Sequence, residues 1–167
     1  MATVRAAVAQ VRSPRSTAEA IKRVDEMTRE AAERQVELLV FPEALLGGYP
    51  RGATFGAVIG ERSPAGREEF LAYSQQAVTF PGPELHEVAS RAARYGLHLV
   101  VGFIEKAGGS LYCATVTLDD AGTVIGSRRK VMPTGSERLV WAQGDGSTLT
   151  VRAPGWVGSR PPSAGRT

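Results

Sequence analysis

Apolar positions along this chain change their spacing several times, and each change marks an element. Val4 to Val11 is short, apolar and rich in β-formers, which predicts a buried first strand. Ser16 and Glu19 then have capping-box spacing. Ile21, Val24, Met27 and Ala31 follow at intervals of three to four, so an amphipathic helix should run to about Arg34. Val36 to Phe41 is a continuous apolar run, the pattern of a strand covered on both faces. A Gly- and Arg-rich stretch from Gly47 to about Ser63 reads as loop, and a short helix is expected around Arg67 to Gln76. Pro81-Gly82-Pro83 breaks the chain before a second clear helix, Glu84 to Tyr95, which Gly96 stops. Leu97 to Ile104, Leu111 to Leu118 and Thr123 to Ser127 read as strands separated by Gly108-Gly109 and Asp119-Asp120-Ala121-Gly122. Ser147 to Val151 reads as a further strand entering the core. No internal repeat is visible. This alternation of strands and helices predicts an α/β layered domain.

Composition narrows the function more than the fold. The chain has 167 residues, the size of one ordinary domain. With 43% hydrophobic and 22% charged residues it reads as soluble and globular. No apolar run approaches the roughly 20 residues of a membrane helix, and the N-terminus lacks a secretory profile. A single cysteine forms no internal disulfide, which points to a reducing cytoplasm. The net charge of +3 is scattered apart from Arg128-Arg129-Lys130, so neither nucleic acid nor membrane is an expected partner. His86 and His98 have no ligand spacing with each other or with Cys113, and no metal or cofactor is expected. Gly144-Asp145-Gly146-Ser147 lacks the lysine of a phosphate loop and the repeated acids of a calcium loop, so it reads as a turn.

Three residues carry candidate chemistry. Glu43 follows the Val36–Phe41 strand and Pro42, at the carboxyl end of a buried strand where α/β sheets present catalytic groups. Its ordinary alternative is a solvated glutamate at a strand end. Lys130 follows a strand and precedes Met132-Pro133; an ammonium there could stabilise charge developing on an attacked nitrile or carbonyl. Its ordinary alternative is a surface lysine. Glu137 lies seven positions further on and could orient Lys130 by a charge-assisted hydrogen bond, or else be an exposed acid beside Arg138.

Taken as segments, these positions are more specific than as single residues. Phe41-Pro42-Glu43-Ala44-Leu45-Leu46-Gly47-Gly48-Tyr49-Pro50 resembles the glutamate motif of the nitrilase superfamily of carbon–nitrogen hydrolases. Arg129-Lys130-Val131-Met132-Pro133-Thr134, with Glu137-Arg138-Leu139-Val140-Trp141 and Gln143-Gly144-Asp145-Gly146-Ser147, resembles the lysine motif, in its true-nitrilase form. The resemblance extends from about Val4 to Gly158. It implies the N-terminal part of a four-layer α-β-β-α sandwich and a Glu–Lys–Cys triad. Glu43 would be the general base, Lys130 the stabiliser of the tetrahedral intermediate and Glu137 a supporting acid. The substrate would be a small-molecule nitrile or amide. The resemblance also implies a homo-oligomer for full-length members, through surfaces expected to be incomplete in this chain.

The triad's cysteine is what the resemblance does not supply. Cys113 lies on a strand upstream of the lysine without the Trp-Glu that follows the family's nucleophile, and is expected to be a small buried hydrophobe. Residues 1–158 read as a partial hydrolase domain and 159–167 as a disordered tail with an explanation of its own. Codons for Ile-Cys-Trp-Glu-Asn, ATC TGC TGG GAG AAC, read one base out of frame give Ser-Ala-Gly-Arg-Thr, which is Ser163 to Thr167. A frameshift between about Gly158 and Pro162 would thus have removed the nucleophile and truncated the chain, leaving it inactive. Two classes of function stand beside each other: a nitrilase-type or amidase-type hydrolase by descent, and a non-catalytic remnant or interaction module.

Overall fold

The computed structural model describes residues 3–149. Residues 159–167, and with them the out-of-frame pentapeptide, lie outside the described residues. The strand β1 is Ala6–Val8, followed by helix α1, Thr17–Glu33. Ser16 caps α1 by accepting from Glu19 N at 3.2 Å, while the Glu19 carboxylate accepts from Arg15 N. β2 is Leu38–Val40, and the loop after it leads to α2, Pro64–Gln76. That helix starts earlier than expected because Ser63 accepts from Gly66 N and Pro64 fits the first turn. α3 is Pro83–Tyr95, closed by Gly96 at φ +66°. β3 (His98–Ala107), β4 (Ser110–Leu118) and β5 (Val124–Arg129) complete the described strands.

The five strands form one sheet in the order β1-β2-β3-β4-β5. β1, β2 and β3 are parallel, and β3, β4 and β5 are joined as antiparallel neighbours. The α/β class expected from the alternating elements is the observed one. Alternation along β3 divides the residues between two faces. Leu99, Val101 and Phe103 meet Val24 of α1, Val88 of α3 and Val116 of β4 in the main core. His98, Val100, Gly102 and Ile104 point the other way. There a smaller cluster of Ala44, Ile104, Leu111, Cys113 and Trp141 underlies the loops carrying Glu43 and Lys130.

The expected strand over Ser147–Val151 is not observed in its described part. Ser147 and Thr148 are in a turn and Leu149 is 53% exposed. The Asp145 carboxylate accepts from both Ser147 N and Ser147 Oγ, and Leu149 N donates to Gly146 O. Local side-chain bonding by aspartate and serine has outcompeted ladder pairing here. Thr150 and Val151 lie outside the described residues. β5 is longer than expected, reaching Arg129, because its end stays paired with Ala114 of β4.

Candidate active site

Glu43 is placed by the path of the chain beyond β2. Phe41 N donates to Val100 O and Leu46 N to Gly102 O, so the loop runs on beside β3 after the strand ends. Between those anchors it passes directly over Gly102. A Cβ at that position would lie 2.4 Å from Pro42 O, 2.7 Å from Glu43 Cα and 2.9 Å from Ala44 N. Only a residue without a side chain leaves room for Glu43 at this height above the sheet.

Lys130 arrives from the other side. Its backbone N donates to Cys113 O at 2.7 Å, and its carbonyl accepts from Gly144 N at 2.9 Å, which fixes the Cα just past the end of β5. The ammonium lies between two carboxylates, donating to both Glu43 oxygens at 3.2 Å and to Glu137 Oε2 at 2.8 Å. Glu137 sits in a 3-10 turn, Gly135–Leu139, where its carboxylate also accepts from Thr134 N at 2.6 Å and from Tyr49 OH at 2.9 Å. The structure therefore brings Glu43, Lys130 and Glu137 together across 94 positions of sequence, counted from 43 to 137. Neither acid of this group is a free surface carboxylate: Glu137 has an 11% exposed side chain, and Glu43, at 44%, is still held by the lysine.

The electrostatics follow from that packing. Burial alone would pull the Lys130 ammonium down, but the hydrogen bonds it donates to Glu137 and Glu43 outweigh that and leave its pKa raised. For Glu137 burial pushes the carboxyl up, while Lys130, the Thr134 amide and the Tyr49 hydroxyl together hold it below its ordinary value. The Tyr49 hydroxyl is raised, first by its hydrogen bond to Glu137. The ammonium of Lys130 thus pairs with both carboxyl groups, at 3.2 Å to Glu43 and 2.8 Å to Glu137.

Cys113 is nearer to this group than the sequence indicated. It is 3% exposed on β4, and its thiol neighbours the Glu43 carboxylate. Burial pushes the thiol up to about 12, and Glu43 adds to the rise. A thiol in that state is protonated and screened from solvent, the opposite of an activated nucleophile.

Several contributors were not singled out from the sequence. Trp141, 2% exposed, packs edge-on against Tyr49 at 5.5 Å and donates from Nε1 to Tyr73 OH at 2.9 Å. Tyr73 OH in turn donates to Gly48 O at 3.1 Å, tying α2 to the loop after Glu43. The Lys130 ammonium stands 5.6 Å from the Trp141 ring centroid. Tyr49 and Trp141 were both inside the quoted motifs, yet nothing in their spacing announces that they touch. A cleft of about 530 Å³ opens beside Glu137, lined by Tyr49, Arg51, Phe55, Ser136 and Val140 among others.

The fold is thus an α/β sheet that presents an acid–lysine–acid group on the loops at its strand ends. The chain belongs to the carbon–nitrogen hydrolase family, whose profile matches residues 5–157. It is 45% identical over 150 residues to a bifunctional nitrilase/nitrile hydratase of Nicotiana tabacum, covering 89% of this chain and 43% of the relative. It is 47% identical over 156 residues to an aliphatic nitrilase of Sinorhizobium fredii, covering 92% of this chain and 50% of the relative. Among solved structures, an amidase from Nesterenkonia sp. superposes with a TM-score of 0.61 at 20% identity, over 86% of this chain and 49% of that one. The chain thus spans about half the length of the curated relatives it matches. Among the described residues no helix is long and apolar enough to cross a membrane.

Proposed function

We propose that this chain carries the glutamate and lysine part of a nitrilase active site and does not itself hydrolyse nitriles. In the complete reaction a cysteine thiol attacks the nitrile carbon. Glu43 takes the thiol proton, which passes to the nitrile nitrogen, giving a thioimidate. Water then adds with Glu43 as base, ammonia leaves and a thioester remains. A second water releases the carboxylic acid and restores the thiol. Lys130 offsets the negative charge that builds up in each tetrahedral intermediate, and Glu137 keeps that ammonium charged and aimed.

The observation that supports this reading is the Lys130 ammonium held between Glu43 and Glu137 at 3.2 and 2.8 Å. The reading of this chain as inactive rests on the state of its thiol. Cys113 is the single cysteine of the 167 residues, and it is buried and protonated. We attribute the absence of a Cys-Trp-Glu segment from these 167 residues to a frameshift between about Gly158 and Pro162, in a cytoplasmic protein of nitrilase descent. Sequencing the locus tests that part: lack of Cys-Trp-Glu in the alternative frame refutes it.

Ammonia release from aliphatic and aromatic nitriles tests the function. The 167-residue chain should release none, and release sensitive to Cys113→Ser would overturn the reading. A chain continued through the restored frame should release ammonia, and Lys130→Ala should abolish it. Full activity of that variant would remove Lys130 from the chemistry.

A further inference from the structure

One buried charge pair takes no part in the site and yet sits directly behind it. Glu105 on β3 is 5% exposed, in a region where an unpaired carboxylate would be strongly disfavoured. Its partner is Arg129, the last residue of β5, which donates Nε to Oε2 at 2.7 Å and a terminal NH2 nitrogen to Oε1 at 2.6 Å. The guanidinium lies 4.0 Å over the Tyr112 ring, so it is held by a two-pronged bond on one side and an aromatic face on the other. The pairing register puts Glu105 opposite Tyr112 and Arg129 opposite Ala114, two positions along β4, so all four side chains share the face that carries the main core.

Lys130 is the next residue. Strand alternation sends consecutive side chains to opposite faces, so Arg129 pinned on one face obliges Lys130 to emerge on the other, beside Cys113 and Glu43. We propose that Glu105 is a positioning residue for Lys130, holding Arg129 so that the end of β5 cannot rotate the lysine away from its two carboxylates. The proposal rests on the reading of Lys130 as the site's cation. A lysine has four rotatable side-chain bonds, so its ammonium is only as well placed as the Cα that carries it. Three further contacts act on the same short stretch: Arg129 N donates to Thr148 Oγ1 at 3.4 Å, and both bonds of the Lys130 backbone go to β4 and to Gly144. A Cβ on Gly144 would come within 3.0 Å of both Arg129 Cβ and Arg129 O, so the segment is gripped from above as well. Of these contacts the Glu105 fork, with the Tyr112 ring on its other side, is the one that holds the Arg129 side chain by hydrogen bonds. It can therefore fix the rotation of the strand about its own axis.

Carboxyl-carbon NMR on the 167-residue chain tests this without any nitrile. The reporter is the titration midpoint of Glu137, whose carboxylate faces Lys130, the Tyr49 hydroxyl and the Thr134 amide, with Glu43 across the ammonium. Lys130→Met sets the scale for complete loss of the cation. Glu105→Gln should raise the midpoint by about half a pH unit or more toward an ordinary glutamate. Arg129→Lys, which keeps the charge but loses the fork, should raise it by a smaller amount in a chain that is easier to fold. A lower melting temperature with an unchanged Glu137 midpoint in either variant would make the pair structural only and overturn the proposal. Ammonia release by the restored-frame chain is a separate readout. If Lys130→Ala is fully active there while Glu105→Gln still shifts Glu137, the function reading fails and the positioning inference stands.

Discussion

Replacing Gly102 by alanine adds one methyl group at the point where the loop bearing Glu43 crosses β3. The added Cβ would lie 2.4 Å from Pro42 O, where ordinary van der Waals contact begins near 3.4 Å, so about 1 Å of displacement is required. All three crowded atoms are backbone, and the loop is anchored on both sides by bonds to Val100 O and Gly102 O. It cannot give by a change of rotamer. Overpacking of this kind costs about 1–3 kcal/mol, and the backbone contacts place it toward the upper end. Alanine recovers about 0.4–1 kcal/mol by restricting the unfolded chain, leaving a net loss of about 2 kcal/mol. For a domain of this size that corresponds to a fall in melting temperature of about 4–8 °C. Gly126→Ala on β5 is the control: the nearest atom to its Cβ is 3.9 Å away, so its stability should stay within about 0.5 kcal/mol of the parent. Urea unfolding followed by circular dichroism and tryptophan fluorescence reads both. The same movement should carry Glu43 off the Lys130 ammonium, and in a restored-frame chain a shift of about 1 Å should cost about a hundredfold in rate. Equal stability of Gly102→Ala and Gly126→Ala would refute the close approach of the loop.

Other outcomes are expected from the same geometry. Glu137 is held below its ordinary pKa, so its contribution to stability is present above the unfolded value of about 4.3 and lost as pH falls through the folded one. Glu137→Gln should therefore cost about 2 kcal/mol near neutrality, and the gap to the parent should close in acid unfolding series; a gap independent of pH would refute the pairing. Cys113, raised to about 12 and 3% exposed, should react with a thiol reagent at least about a hundredfold more slowly in the native chain than in urea. Comparable rates in the two states would mean that the thiol is accessible. Trp141→Ala should cost about 3–5 kcal/mol, whereas Trp141→Phe, which keeps the ring against Tyr49 but loses the bond to Tyr73, should cost less. Equal losses in thermal melts would assign the whole effect to the hydrogen bond.

Much of this architecture was legible along the chain because local signals and long-range packing agreed. The Ser16–Glu19 cap, the three- to four-residue spacing of Ile21 to Ala31 and the stop at Gly96 each specify a boundary through contacts within a few residues. Glu43, Lys130 and Glu137 were recognisable because each stands in a long segment of characteristic text. Ser147 to Leu149 misled for the opposite reason: β-formers suggested a strand, but the Asp145 carboxylate captured Ser147 first.

The sequence by itself determined the class of fold and the order of most of its elements, and it singled out Glu43, Lys130 and Glu137 as candidates. Only the tertiary structure decided that Lys130 stands between Glu43 and Glu137, that Cys113 is masked beneath them, and that Gly102 is the gap through which the Glu43 loop passes. The reason is physical. Hydrogen bonds within a turn or a cap are set by neighbours in the chain. The distance from Lys130 to Glu43 depends instead on the register of the three strand pairings from β2 to β5 and on which face each residue of β5 is turned toward.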